Sequence, residues 1–421
     1  MNIQYIKIKN FKIFEDKEFF FHPQMNVIIG NNATGKTSVL EALSYSLGTF
    51  FLGLKGVDLR ALKNREKRKK IISSDNSEIQ LPFRIDVKHT LDNNSYQWYR
   101  STNKEKGGAT SYKNAKNMIN KAKELDEKVR NGENVTLPLI SYYGTDRVND
   151  RNQQIKDRKS DSRFDGYYGA LNQEVVRKQF LTWFRDYEDS VLKFNKDKAL
   201  YIAFTNALTS MVKDWNKVHF SWKSNDMLGQ GDDGLWTSFS MLSAGYKNIV
   251  RITADIAYRA IKLNPHLGEN AVKETEGVVL IDEIDMHLHP KWQRTILTDL
   301  KNTFPKIQFI VTTHSPFVVQ SLMSSDELIL LDGEPLGEYK NLGIEEISKN
   351  MGVEHPEVSK EYETMKEVAK SFLQILDEAE KSPEEKQEEY KHRLAELIEP
   401  YAKNPAYQAF LELKYAVKLG E

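Results

Sequence analysis

The residues Gly30-Asn31-Asn32-Ala33-Thr34-Gly35-Lys36-Thr37, followed by Ser38, fit the spacing G-x-x-x-x-G-K-[ST] in full. Backbone N–H groups of such a loop, with the N-terminus of the helix it opens, converge on one concavity and bind phosphate oxygens. Its glycines let the backbone approach closely. Lys36 then supplies a point charge at the β- and γ-phosphates of a nucleotide, and Thr37 offers a hydroxyl to Mg²⁺. Far downstream, Gly277-Val278-Val279-Leu280-Ile281 runs apolar into Asp282-Glu283. Alone, that run marks only the end of a strand. Downstream of a phosphate loop, Asp282 can complete the magnesium shell opposite Thr37, and Glu283 can polarise an attacking water.

Three weaker signals follow. Ser243 precedes Ala244-Gly245-Tyr246 and a helical apolar pattern, which reads as an ordinary N-cap or as a second phosphate-binding helix end. His314 follows the apolar run 307–311, at the strand end where open α/β sheets bind ligands and where a γ-phosphate could be sensed. His287 and His289 stand two apart, but a zinc site needs three or four ligands and no third is evident in the sequence. Asp285 lies two residues beyond Glu283 and could reach a second subunit across a nucleotide.

These groups require elements that place them. Runs 3–8 and 18–29 read as strands, the second ending in Asn26-Val27-Ile28-Ile29 before the loop, and a helix is expected from Lys36 to Phe50. Runs 79–89 and 95–100 alternate around Asp92-Asn93-Asn94, a hairpin signal. The runs 137–143, 277–281 and 307–311 look like interior parallel strands. A basic or polar insertion is expected at about 55–75 and another at 102–134, with a helical subdomain at about 165–240. The predicted domains are an ATPase core over 1–345 and a helical extension over 346–421. In that extension Met365, Val368, Phe372, Ile375 and Leu376 share one apolar face, suited to oligomerisation or partner docking. The fold class is α/β, a P-loop NTPase with helical insertions.

Composition narrows the partners. Sixty basic and sixty acidic residues cancel, so any nucleic-acid surface must come from local segregation of charge. The best local candidate is the run Arg60, Lys63, Arg65, Lys67, Arg68, Lys69, Lys70. With no cysteine, disulfides, thiolate zinc sites and a cysteine nucleophile are excluded. No stretch approaches the roughly 20 apolar residues of a membrane helix, and the N-terminus has no signal-peptide core, so a soluble cytoplasmic protein is expected.

Taken in order, the Gly30–Thr37 loop, Leu242–Tyr246, Ile281–Asp285 and His314 resemble the ABC-type ATPases of the SMC, RecF and OLD group. The opening Ile6–Phe11 with Phe14 is similar to that group's N-terminal strand pair. The resemblance implies an ABC/SMC-like head that binds ATP and Mg²⁺. It also implies a homodimer or higher oligomer in which Ser243, Ala244 and Gly245 of one head face the loop of the other. LPLISYYGTDR, GYYGALNQE, LIDEIDMHLHPKWQ and NPAYQAFLELK look like the ATPase subunit of the Septu anti-phage system and its retron-associated relatives. That likeness implies a regulatory ATPase controlling a separate HNH-type nuclease; the alternative is a RecF- or OLD-like ATPase acting directly on DNA. The sequence departs from the wider group in two places: Ala244 replaces a glycine, and Tyr143–Arg147 stands where a glutamine is expected. Arg147 is open to either a phosphate contact or a structural role. No D-x-D cluster lies between 332 and 421, so no TOPRIM nuclease is expected in this chain.

Overall fold

The structure, a computed structural model, describes residues 1–73, 76–107, 110–148, 162–172, 177–332, 339–353, 368 and 370–376. Two compact units divide the chain, Met1–Gly352 and Val353–Glu421. Of the second, residues 370–376 form a helical turn pair in which Phe372 and Leu376 are buried. Met365, the NPAYQAFLELK segment and the rest of the tail lie outside the described residues. Among the described residues no helix is long and apolar enough to cross a membrane.

In the first unit, β1 (Asn2–Phe11) pairs antiparallel with β2 (Phe14–Phe20). The chain breaks at residues 21–24 before β3 (Met25–Ile29), so the run expected as one strand is two. Pro23 lacks an N–H, and here the chain leaves one sheet for another. Helix α1 (Lys36–Phe51) follows the Gly30–Thr37 loop, and almost all its residues are buried. The small hairpin β4 (Lys69–Ile71) and β5 (Ser77–Ile79) carries part of the basic run. Strands β6 (Phe83–Leu91) and β7 (Asn94–Thr102) complete an antiparallel sheet of order β2-β1-β6-β7. Their turn places Asp92 and Asn93 at φ 51° and 60°, the left-handed pair that a two-residue hairpin loop demands.

After α2 (Lys116–Arg130) and β8 (Leu139–Tyr143) come α3 (Arg177–Phe194) and α4 (Ala199–Met211). The region expected to be helical to about 240 instead forms an antiparallel sheet of β9 (Lys217–Ser221), β10 (Asp226–Gln230) and β11 (Trp236–Ser238). Alternating Val218 and Phe220 face inward there, and Asn225 at φ 50° turns the chain. The period is two, not 3.6, and the helical reading missed the switch.

Helix α5 (Ala244–Leu263) leads through a short connection to β12 (Gly277–Ile281), β13 (Ile307–Thr312) and β14 (Leu328–Leu330). With β3 and β8 these form a parallel sheet of order β14-β3-β13-β12-β8. Strands β3, β8, β12 and β13 are buried throughout, as parallel strands covered on both faces must be. Helix α1 touches both this sheet and strands of the antiparallel one, which explains its burial on nearly every side. The Gln308 side chain stitches the sheets together, accepting from the Ile3 N–H at 2.7 Å and donating to the Ile3 carbonyl at 2.8 Å.

Candidate nucleotide site

Strand order decides what meets at the site. Because β13 lies between β3 and β12, the segments that follow all three strands share one edge of the sheet. Val311 is opposite Val27 on one side and Ile281 on the other, so Gly30, Asp282 and Thr312 emerge together.

The loop between β3 and α1 turns tightly. Gly30, Ala33 and Gly35 have φ of 158°, 65° and 104°; at Gly35 a Cβ would lie 2.7 Å from the Phe14 ring, so both conformation and space require glycine. The Lys36 ammonium lies along the loop, donating to the carbonyls of Gly30 at 2.7 Å and Asn31 at 3.0 Å. Burial lowers its pKa, and the surrounding carboxylates Asp332, Asp282, Glu283 and Asp285 oppose that shift. Asn31, Asn32, Ala33 and Thr37 are exposed, while Ser38 is buried at the start of α1. The Thr34 hydroxyl closes the loop on the Asn31 carbonyl at 2.9 Å.

Thr37 and Asp282 meet although 245 residues separate them: the Thr37 hydroxyl donates to the Asp282 carboxylate at 2.8 Å. The other Asp282 oxygen accepts from the Thr312 hydroxyl at 2.6 Å. That hydroxyl in turn accepts the Glu283 N–H at 2.8 Å, so Thr312 serves both acidic residues. Glu283 is half-buried and sits at φ 48°, a left-handed conformation that costs a non-glycine residue about 1–2 kcal/mol. A residue held there by its neighbours is a functional candidate. Asp285 accepts from the Thr313 hydroxyl at 2.6 Å, and His314 is exposed just beyond the end of β13.

Arg147 resolves to the structural alternative. Arg147 is 3% exposed, and its guanidinium donates to the carbonyls of Gly144 (2.9 Å), Asp282 (2.5 Å) and Glu283 (2.7 Å) and to the side-chain oxygen of Asn248 (2.9 Å). Burial pulls its pKa down to about 10, against the pull of Asp282 and Glu283.

Ser243, Ala244 and Gly245 begin α5, where the Ser243 hydroxyl accepts the Tyr246 N–H at 3.4 Å as an N-cap. Ser243 and Ala244 are exposed, and among the described residues no hydrogen bond ties them to the loop of the same chain. His289 accepts the Lys291 N–H through Nδ1, and His287 is exposed at φ 61°. No metal-binding group of three acidic or histidine side chains exists among the described residues.

The basic run is largely spoken for. Arg60 binds the Glu41 carbonyl at 2.6 Å and Glu66 at 2.8 Å, and Arg68 binds the Ile13 carbonyl. Lys67 is buried among the carbonyls of Lys104, Glu105 and Gly107. Only Lys63, Arg65, Lys69 and Lys70 remain exposed.

Sequence reasoning singled out neither Thr312 nor Asn248, nor did it give Asp332 a part in the loop. The Asp332 carboxylate accepts the Asn31 N–H at 3.1 Å and the Asn31 side-chain amide at 2.6 Å. The available signal for Asn248 was a row of polar residues at helical spacing, Asn248, Arg251, Asp255 and Arg259, within a largely apolar helix. A polar residue ending an apolar strand was that for Thr312.

Comparison with known proteins gives four matches. The family described as "AAA domain, putative AbiEii toxin, Type IV TA system" matches residues 25–320. The Retron Vc95 probable ATPase of Vibrio cholerae serotype O1 biovar El Tor is 26% identical over 77% of this chain and 73% of that protein. The Septu protein PtuA of Bacillus mycoides is also 26% identical, over 95% of this chain but 51% of that protein. Among solved structures, the SMC head domain from Thermotoga maritima aligns with 78% of this chain and 94% of that one, at 14% identity and a TM-score of 0.42.

Proposed function

The chain belongs to the AAA-domain family matched over residues 25–320, and from that premise we propose that it is the regulatory ATPase of an anti-phage defence complex. The observation that carries the chemistry is the Thr37–Asp282 contact beside Glu283 at the edge of the parallel sheet. The N–H groups of Gly30–Thr37 bind the triphosphate, and Lys36 leaves its loop carbonyls for the β- and γ-phosphates. The hard oxygen donors of Thr37 and Asp282 suit Mg²⁺, which when bound neutralises charge on the phosphates. Glu283 accepts a proton from water as the water oxygen bonds to the γ-phosphorus and ADP departs. His314 contacts the γ-phosphate.

Ser243–Gly245 of a second copy close the site, so that ATP joins two heads and Asp285 lies at their junction. Relatives named for retron and Septu systems support the defence setting. In that setting the chain acts in the cytoplasm and governs a separate HNH-type nuclease, with 346–421 as the docking or oligomerisation segment. Four exposed basic residues, Lys63, Arg65, Lys69 and Lys70, favour a second reading, direct DNA contact. A steep fall of DNA affinity with added salt would support it.

Glu283→Gln tests the chemistry. The variant should bind ATP as the parent does, lose turnover by about 10²-fold or more, and accumulate ATP-bound dimers. Undiminished turnover would refute the assignment.

A further inference from the structure

Arg147 and Asn248 belong neither to the phosphate cradle nor to the magnesium pair, yet they hold the backbone that carries both carboxylates. Arg147 takes the carbonyls of Asp282 and Glu283, while Thr312 takes the Glu283 N–H from the other side. The left-handed Glu283 is thus fixed at both its amide and its carbonyl. Asn248 uses both ends of its side-chain amide: Oδ1 accepts from Arg147 at 2.9 Å, and Nδ2 donates to the Met286 carbonyl at 3.0 Å. It sits on α5 five residues after Ser243. The first turn of α5 also abuts the same loop directly, since a Cβ on Gly245 would lie 2.3 Å from the His287 carbonyl oxygen.

We propose that Arg147 is a positioning residue for Glu283, and that Asn248 makes that position depend on the N-terminus of α5. The proposal rests on the reading of Glu283 as the general base and of Ser243 as the contact to a nucleotide held by a second copy. Movement of the first turn of α5 cannot leave the 282–288 loop in place, because Asn248 is bonded to two points of the network and Gly245 leaves no gap. A phosphate engaged at Ser243 of one chain therefore sets the water-activating carboxylate of that same chain, and hydrolysis in the paired sites becomes interdependent. Each site waits for the other.

The test compares Asn248→Ala, Arg147→Lys and Glu283→Gln in the full chain. It measures Mg-ATP turnover against ATP and protein concentration, binding of a fluorescent ATP analogue, and the thermal unfolding midpoint. For Asn248→Ala the expected result is analogue affinity within about twofold of the parent, kcat reduced about tenfold or more, and a Hill coefficient falling towards one. Arg147→Lys keeps the charge but loses the fork, and should lower kcat with KM retained. If Asn248→Ala fails to fold, Asn248→Ser, which keeps a small polar side chain, carries the same prediction. A folded Asn248 variant with parental kcat and Hill coefficient overturns the coupling. So does a loss of analogue affinity that matches the loss of kcat. Turnover that survives in Glu283→Gln overturns the base assignment, and is distinguishable because it appears in that variant alone.

Discussion

Replacing Thr312 by valine removes one hydroxyl and almost no volume, and the structure allows its cost to be worked out. The hydroxyl is fully buried, donates to the Asp282 carboxylate at 2.6 Å and accepts the Glu283 N–H at 2.8 Å. Losing a hydrogen bond to a charged group costs about 1.5–3 kcal/mol, and leaving a buried amide without an acceptor costs about 1–3 kcal/mol. Asp282 keeps its bond from Thr37, and Glu283 is half-buried, so water can relieve part of the loss. The lower halves of both ranges then apply, and Thr312→Val should destabilise the chain by about 3 kcal/mol. Thr312→Ser keeps the hydroxyl and loses only a methyl, at about 1 kcal/mol. Urea unfolding of both variants, followed by tryptophan fluorescence, separates the two contributions, and ATP turnover should fall in the valine variant far more than in the serine one. Valine within about 0.5 kcal/mol of the parent, or costlier only in turnover than serine is, would show that the hydroxyl does not serve both acidic residues.

Further outcomes follow from packing and burial. Gly245→Ala should destabilise the chain by about 1–3 kcal/mol even without nucleotide, because the new Cβ meets the His287 carbonyl; unfolding midpoints measured in ATP-free buffer check this. His89 is buried with Nε2 unpartnered, and burial, with the N-terminal ammonium, pulls its pKa down to about 3. Its folded value lies below the unfolded value of about 6.5, so the unfolded chain binds the extra proton and stability falls as pH drops from about 6.5 towards 3. The loss at the acid end is on the order of 4 kcal/mol. Denaturation of the parent and of His89→Gln at stepped pH should show a shallower slope for the variant.

The sequence by itself determined the local parts of this protein. An apolar strand, a glycine-bearing loop and a helix are consecutive, so spacing alone makes Gly30–Thr37 legible as a strand–loop–helix unit and a candidate phosphate cradle, and continuous apolar runs mark β12 and β13 as interior strands. The pairing of Asn248 with Arg147 was not legible, since 101 residues separate them and neither carries a local pattern that names the other. The burial of Lys67 escaped for the same reason: a charge run reads as solvated until folding brings the carbonyls of 104–107 around it. Residues 217–238 were misread because aromatic and β-branched side chains fit either period over short windows, and only cross-strand partners select the sheet. Tertiary structure also decided what Thr312 does. The adjacency of β13 and β12 places its hydroxyl against both Asp282 and Glu283, and strand order is a property of the closed sheet rather than of any one strand.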